Sequence, residues 1–145
     1  MSFYFSASDD NEAIRANDFP GGPDPDASGF TSIHEQGVLA SPHLWELTAL
    51  AQGIPYEDCT SQLAPVWPAQ GDFGGELIAQ FIQRLPDTLR DDLADIDSKP
   101  EIASIWSKSV WGMEPDQAAN FIEEIRNLAD RARSAREHLY WWSSL

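Results

Sequence analysis

The stretch PDQAANFIEEIRNLADRARSAREHLYWWSSL, residues 115–145, carries the longest apolar periodicity in the chain. Phe121, Ile125, Leu128, Ala132, Ala135, Leu139 and Trp142 follow one another at spacings of 4, 3, 4, 3, 4 and 3, the seam of an amphipathic helix. Pro115 suits the first helical turn, and neither Gly nor Pro interrupts the run after it. The pattern predicts one long C-terminal helix over 115–145. Its small alanines suit close approach to another helix of the same chain, and the same seam would serve a second copy. The expected state is therefore a monomer, or a homodimer through this helix.

Working outward, Ser98-Lys99-Pro100-Glu101 is a capping signature, followed by Ile102, Ile105, Trp106 and Val110 and a stop at Gly112. Leu77, Ile78, Phe81, Ile82 and Leu85 form another helical face, closed by Pro86, and Leu89 and Leu93 carry a shorter helix. Ser41-Pro42 opens a helix that Gly53 ends, with Leu44, Leu47, Thr48 and Ala51 in its stripe. Leu63 to Trp67, in a stretch holding Pro55, Pro65 and Pro68, reads as an edge strand.

At the amino terminus Phe3, Phe5 and Ala7 alternate with more polar neighbours, the period of a half-buried strand. Asp9 and Glu12 then form a capping box for a helix through Ala16. Residues 17–29 hold three prolines, three glycines and three aspartates and read as a long loop, pinned at its edges by Phe19 and Phe30. A weak strand is expected near Gly37-Val38-Leu39. The fold class that results is α+β, predominantly helical: one domain over 1–145, four or five helices and a small N-terminal β-sheet of two or three strands. A purely helical bundle is the alternative.

The 145 residues are 42% apolar and include six Trp, seven Phe and three Tyr, enough to fill one core without a staple. The formal net charge is −15. Residues 1–80 hold 12 acids against Arg15 alone, and residues 81–145 hold 12 acids against 8 bases. Such a field repels nucleic-acid phosphates and anionic membrane surfaces and attracts basic protein patches. No segment approaches the roughly 20 apolar residues that span a bilayer. Met1 to Ala7 lacks the charges and apolar run of a secretory signal, and Cys59 is the only cysteine, so a cytoplasmic location is expected.

Chemical motifs are sparse. His43 and Glu46 lie one turn apart and His34-Glu35 lies near in sequence, but a metal site needs three or four ligands. Cys59 follows Glu57 and Asp58, whose charges disfavour a thiolate. The doublets Asp9-Asp10, Glu57-Asp58, Asp91-Asp92 and Glu123-Glu124 read as solvated faces, and Gly74-Gly75 as a flexible helix entry. No catalytic residue, metal ligand or cofactor is assigned. The leading expectation is a non-enzymatic interaction factor of inhibitor, immunity or adaptor type that engages a basic partner protein. Its binding residues are Asp24, Asp26, Glu57, Asp58, Trp67 and Trp141, acids beside aromatics that suit interface anchoring. The other class is a small-ligand binder or enzyme whose pocket is walled by Trp45, Trp67 and Trp106 with nearby carboxylates.

Overall fold

The chain, seen as a computed structural model, is described over residues 2–34, 41–58, 64–67, 80–97, 99–110 and 112–144. Expectations for 37–39, Cys59, Gly74-Gly75, Leu77-Ile78 and Ser98 fall outside these residues. The fold is an α+β arrangement, but its sheet is larger than expected and is not confined to the amino terminus. Strands β1 (Ser2–Ala7), β2 (Ser32–His34), β3 (Ala64–Trp67), β4 (Gln80–Arg84) and β5 (His138–Ser144) form one antiparallel sheet in the order β2-β1-β5-β4-β3. The helical segments are α1 (Asp10–Ile14), α2 (Pro25–Ser28), α3 (Ser41–Gln52), α4 (Asp87–Ala94), α5 (Pro100–Ser107) and α6 (Pro115–Ser134).

Two corrections concern the central strands. The helix expected over 115–145 stops at Ser134, and its last part is the strand at the centre of the sheet. The stop is a Schellman-type turn: Glu137 N–H donates to the Ala132 carbonyl at 2.7 Å and Arg136 N–H to Arg133 at 3.1 Å, with Arg136 left-handed at φ 57°. An Arg occupies the position where Gly is usual, so the stop carries no glycine in the sequence. The face expected over 77–85 is likewise strand from Gln80 to Arg84. A strand covered on both sides reads as a continuous apolar run, and Leu139 to Trp142 is such a run.

The alternation of β5 assigns its side chains to two cores. Leu139 and Trp141 join Tyr4 on the face covered by helices, whereas Tyr140 and Trp142 join Phe3, Phe5 and Ile82 on the other face. On the helical face α6 packs on β1, β2 and β5, with α4 and α5 against α6 and α3 against both. Phe121 stands edge-on to Tyr4 at 6.1 Å and stacks on Trp106 at 5.8 Å. The first half of the expected seam is real, since Phe121, Ile125, Leu128 and Ala132 are all buried. They are buried within the chain, so a homodimer through this seam would require the helix to leave its own core.

The other face is closed by α1, the 3-10 turn at Arg15–Asp18 and the segment through α2. Asp9 caps α1 by accepting from Glu12 N–H at 2.8 Å, while the Glu12 carboxylate accepts from Ser8 N–H at 3.1 Å. The segment expected as a long loop over 17–29 holds the short helix α2, and its expected pins, Phe19 and Phe30, both lie in the core of this face. Phe30 packs edge-on against Phe5 at 5.2 Å, Phe19 joins the same cluster, and Gly22 at φ 70° lies against the indole of Trp142. Trp142 Nε1 donates to Asn17 Oδ1 at 3.0 Å, which ties the 3-10 turn to the central strand.

Candidate interaction surface

Helix α3 ends because Gly53 takes φ 68°, with Ile54 N–H donating back to the Ala49 carbonyl at 3.1 Å. This cap turns the chain away from the helix and out of the core. Pro55 then begins a 3-10 turn over Tyr56–Asp58, closed by Asp58 N–H on the Pro55 carbonyl at 3.0 Å. Every residue from Gln52 to Asp58 is exposed. Ile54 and Tyr56, 39% and 41% exposed, are two of the three large exposed hydrophobic side chains among the described residues; the third is Ile105. Two apolar groups and two carboxylates, Glu57 and Asp58, thus share one short turn.

The remaining expected site residues lie elsewhere. Asp24 is occupied locally: its carboxylate accepts from Asp26 N–H at 2.9 Å and its carbonyl from Ser28 Oγ at 2.6 Å, which starts α2. Asp26 is exposed on that short helix. Both belong to the segment on the Trp142 side of the sheet, while α3 contributes Leu44 and Leu47 to the opposite core. Trp141 is partly buried against the helical core, its ring edge-on to Phe81 at 5.5 Å, and its buried Nε1 has no hydrogen-bond partner among the described residues. Trp67 ends β3, its backbone opposite Ile82. Of the aromatic trio considered for a pocket, Trp45 and Trp106 are core residues, and Trp106 Nε1 donates to the His43 carbonyl at 2.8 Å.

A polar constellation that sequence reasoning missed sits at one end of the central strands. Asp87, at the start of α4, lies 2.7 Å from His138 Nδ1, 3.8 Å from Arg84 and 3.5 Å from Arg90. Arg90 also donates to the Glu137 carbonyl at 2.8 Å. Asp10 accepts the Tyr140 hydroxyl at 2.7 Å and lies 3.7 Å from Arg84. Arg84 and Tyr140 are cross-strand partners, so their meeting depends on the pairing of β4 with β5. With both stretches read as helix, nothing in the sequence brought these residues together. The groups satisfy one another and join α1, β4, α4 and β5, which makes the cluster a clasp across the sheet end. Among the described residues no group of three His, Cys, Asp or Glu side chains is arranged to hold a metal. No described helix is long and apolar enough to cross a membrane.

Burial, and then the bond to Asp10, push the Tyr140 hydroxyl well above the usual tyrosine range. A raised pKa in the folded state means that its stabilisation is complete below the unfolded tyrosine value of about 10 and is lost at higher pH, where only the unfolded chain ionises. Tyr140→Phe should cost about 1 kcal/mol at pH 8 and should flatten the decline in urea midpoint above pH 10. An equal alkaline decline in both proteins would show that Tyr140 does not cause it.

No known protein family, curated protein or solved structure matches the chain.

Proposed function

We propose that this chain is a non-enzymatic interaction factor whose exposed turn Ile54–Asp58 docks on a basic surface of a partner protein in the cytoplasm. The supporting observation is the composition of that turn: Ile54 and Tyr56 stand in solvent beside Glu57 and Asp58. An isolated exposed hydrophobic is ordinary, but an aromatic and an aliphatic side chain held out by a capped helix end suit an apolar contact ringed by charge. The net charge of −15 supplies long-range attraction to a cationic surface, and the turn supplies the short-range contact.

The test begins with capture from native lysate at low salt, followed by purification of what is captured and titration against wild-type chain and the triple variant Tyr56→Ala/Glu57→Lys/Asp58→Lys. The expected result is a partner of basic surface whose binding weakens as the Debye length falls to about 8 Å and below. The triple variant should bind it at least about tenfold more weakly, with a shallower salt dependence. Equal affinity of the two chains for that partner would remove the turn from the interface.

A further inference from the structure

Residues 8–30 form an excursion between two neighbouring strands. Strand β1 ends at Ala7 and β2 begins at Ser32, Phe5 pairs with Ser32, and Ser6 N–H donates to the Thr31 carbonyl at 3.1 Å. Both ends of the excursion are thus fixed side by side, in the manner of an Ω-loop. Every described ladder pair of the sheet joins residues outside it. Its backbone bonds are local: Ala13 N–H donates to the Asp9 carbonyl at 3.0 Å, Gly22 N–H to that of Phe19 at 2.9 Å and Ser28 N–H to that of Asp24 at 2.8 Å. Such bonds travel with the segment when it leaves the sheet.

Side chains tie the segment to the sheet. Asp10 accepts the Tyr140 hydroxyl and lies 3.7 Å from Arg84, Asn17 accepts the Trp142 indole N–H, and the Pro23 carbonyl accepts the Ser32 hydroxyl. Ala13, Ala16, Phe19 and Phe30 add apolar contact with one face of the sheet. Among the described residues this core shares no buried side chain with the helical core on the opposite face. The two covers differ in build. One is made of α1, the 3-10 turn and α2, of five, four and four residues. The other holds the 20-residue α6, itself packed on α4 and α5. Lifting the first returns backbone freedom to residues 8–30 and leaves the sheet ladders and the second cover in place.

We infer that residues 8–30 are a strap that lifts from the sheet as one unit while the helical layer stays folded, uncovering an aromatic face of Phe3, Phe5, Tyr140 and Trp142. Because its ends remain anchored in β1 and β2, the strap recloses as a tethered loop rather than by refolding of the whole chain. The closed chain keeps these four rings no more than 4% exposed, so the open form is a minor state. The docking turn at Ile54–Asp58 follows α3 in the other layer and plays no part in this opening.

The test is hydrogen exchange followed by nuclear magnetic resonance on the full chain, with guanidinium added below the unfolding range. The Ala13 and Gly22 amides and the Trp142 indole N–H should share one opening, at least about tenfold more frequent than the opening that exposes the Leu128 and Ala129 amides of α6. Two variants establish the order of events. Ile125→Val, at a buried position of the helical core, should speed exchange at Leu128 about fivefold and leave the three strap protons unchanged. Asn17→Ala, in the strap, should speed both sets about fivefold, because it destabilises the closed state relative to each of the open ones. A single opening shared by strap and α6, strap protons that exchange by unrelated openings, or a strap response to Ile125→Val equal to that of Leu128 would overturn the inference.

Discussion

Replacing Trp142 by Ala should lower the stability of the chain by about 3–5 kcal/mol, a large share of what a domain of this size possesses. The indole is 1% exposed on the central strand, lies against Phe3 at 6.1 Å, covers Gly22 and bonds Asn17. Truncation removes that packing, leaves Asn17 without its donor, and opens a cavity that a sheet strand cannot collapse to fill. Urea unfolding followed by far-ultraviolet circular dichroism measures the loss. A change under about 1 kcal/mol would mean that the segment over residues 17–30 is not packed as described.

The second large effect is expected at Gly22. A Cβ built there would lie 2.6 Å from two carbons of the Trp142 ring, and the residue's φ of 70° disfavours side chains in any case. Gly22→Ala should therefore cost about 2–4 kcal/mol, from overpacking and from backbone strain together. The two contributions separate in a double-mutant cycle. With Trp142 already Ala the clash is gone, and Gly22→Ala should then cost only the strain, about 1–2 kcal/mol. Strict additivity of the two substitutions would place the indole away from Gly22.

Helix punctuation was legible in the sequence where it was made by Pro, Gly and capping acids. Asp9 with Glu12, Ser41-Pro42 with Gly53, and Pro115 all mark ends that the fold uses. What escaped was the middle of the sheet. Leu139 to Trp142 sit on a strand with both faces covered, and a doubly covered strand lacks the alternation that distinguishes it from a buried helix, while Phe81-Ile82 is too short an apolar pair to show a period. The left-handed Arg136 compounded this, because the helix stops there without the glycine that announces a stop. The candidate surface was partly visible. Glu57 and Asp58 stood out by charge, but the exposure of Ile54 and Tyr56 follows from the direction in which the Gly53 cap sends the chain, which composition does not encode. The clasp of Asp10, Arg84, Asp87, His138 and Tyr140 joins residues up to 130 positions apart, and its recognition required the strand order first.

The pairing of β1 with β5 also governs when the sheet can form. Ser2 Oγ donates to Ser143 Oγ at 3.0 Å across a separation of 141 residues, and β5 lies between β1 and β4. Closing so long a loop carries an entropic penalty that rises only slowly with length, yet non-local pairing of this kind is slow. During synthesis β1 can take its inner neighbour only once β5 has been made. Until then Phe3, Tyr4 and Phe5 lack the strand that flanks them on the inner side of the sheet.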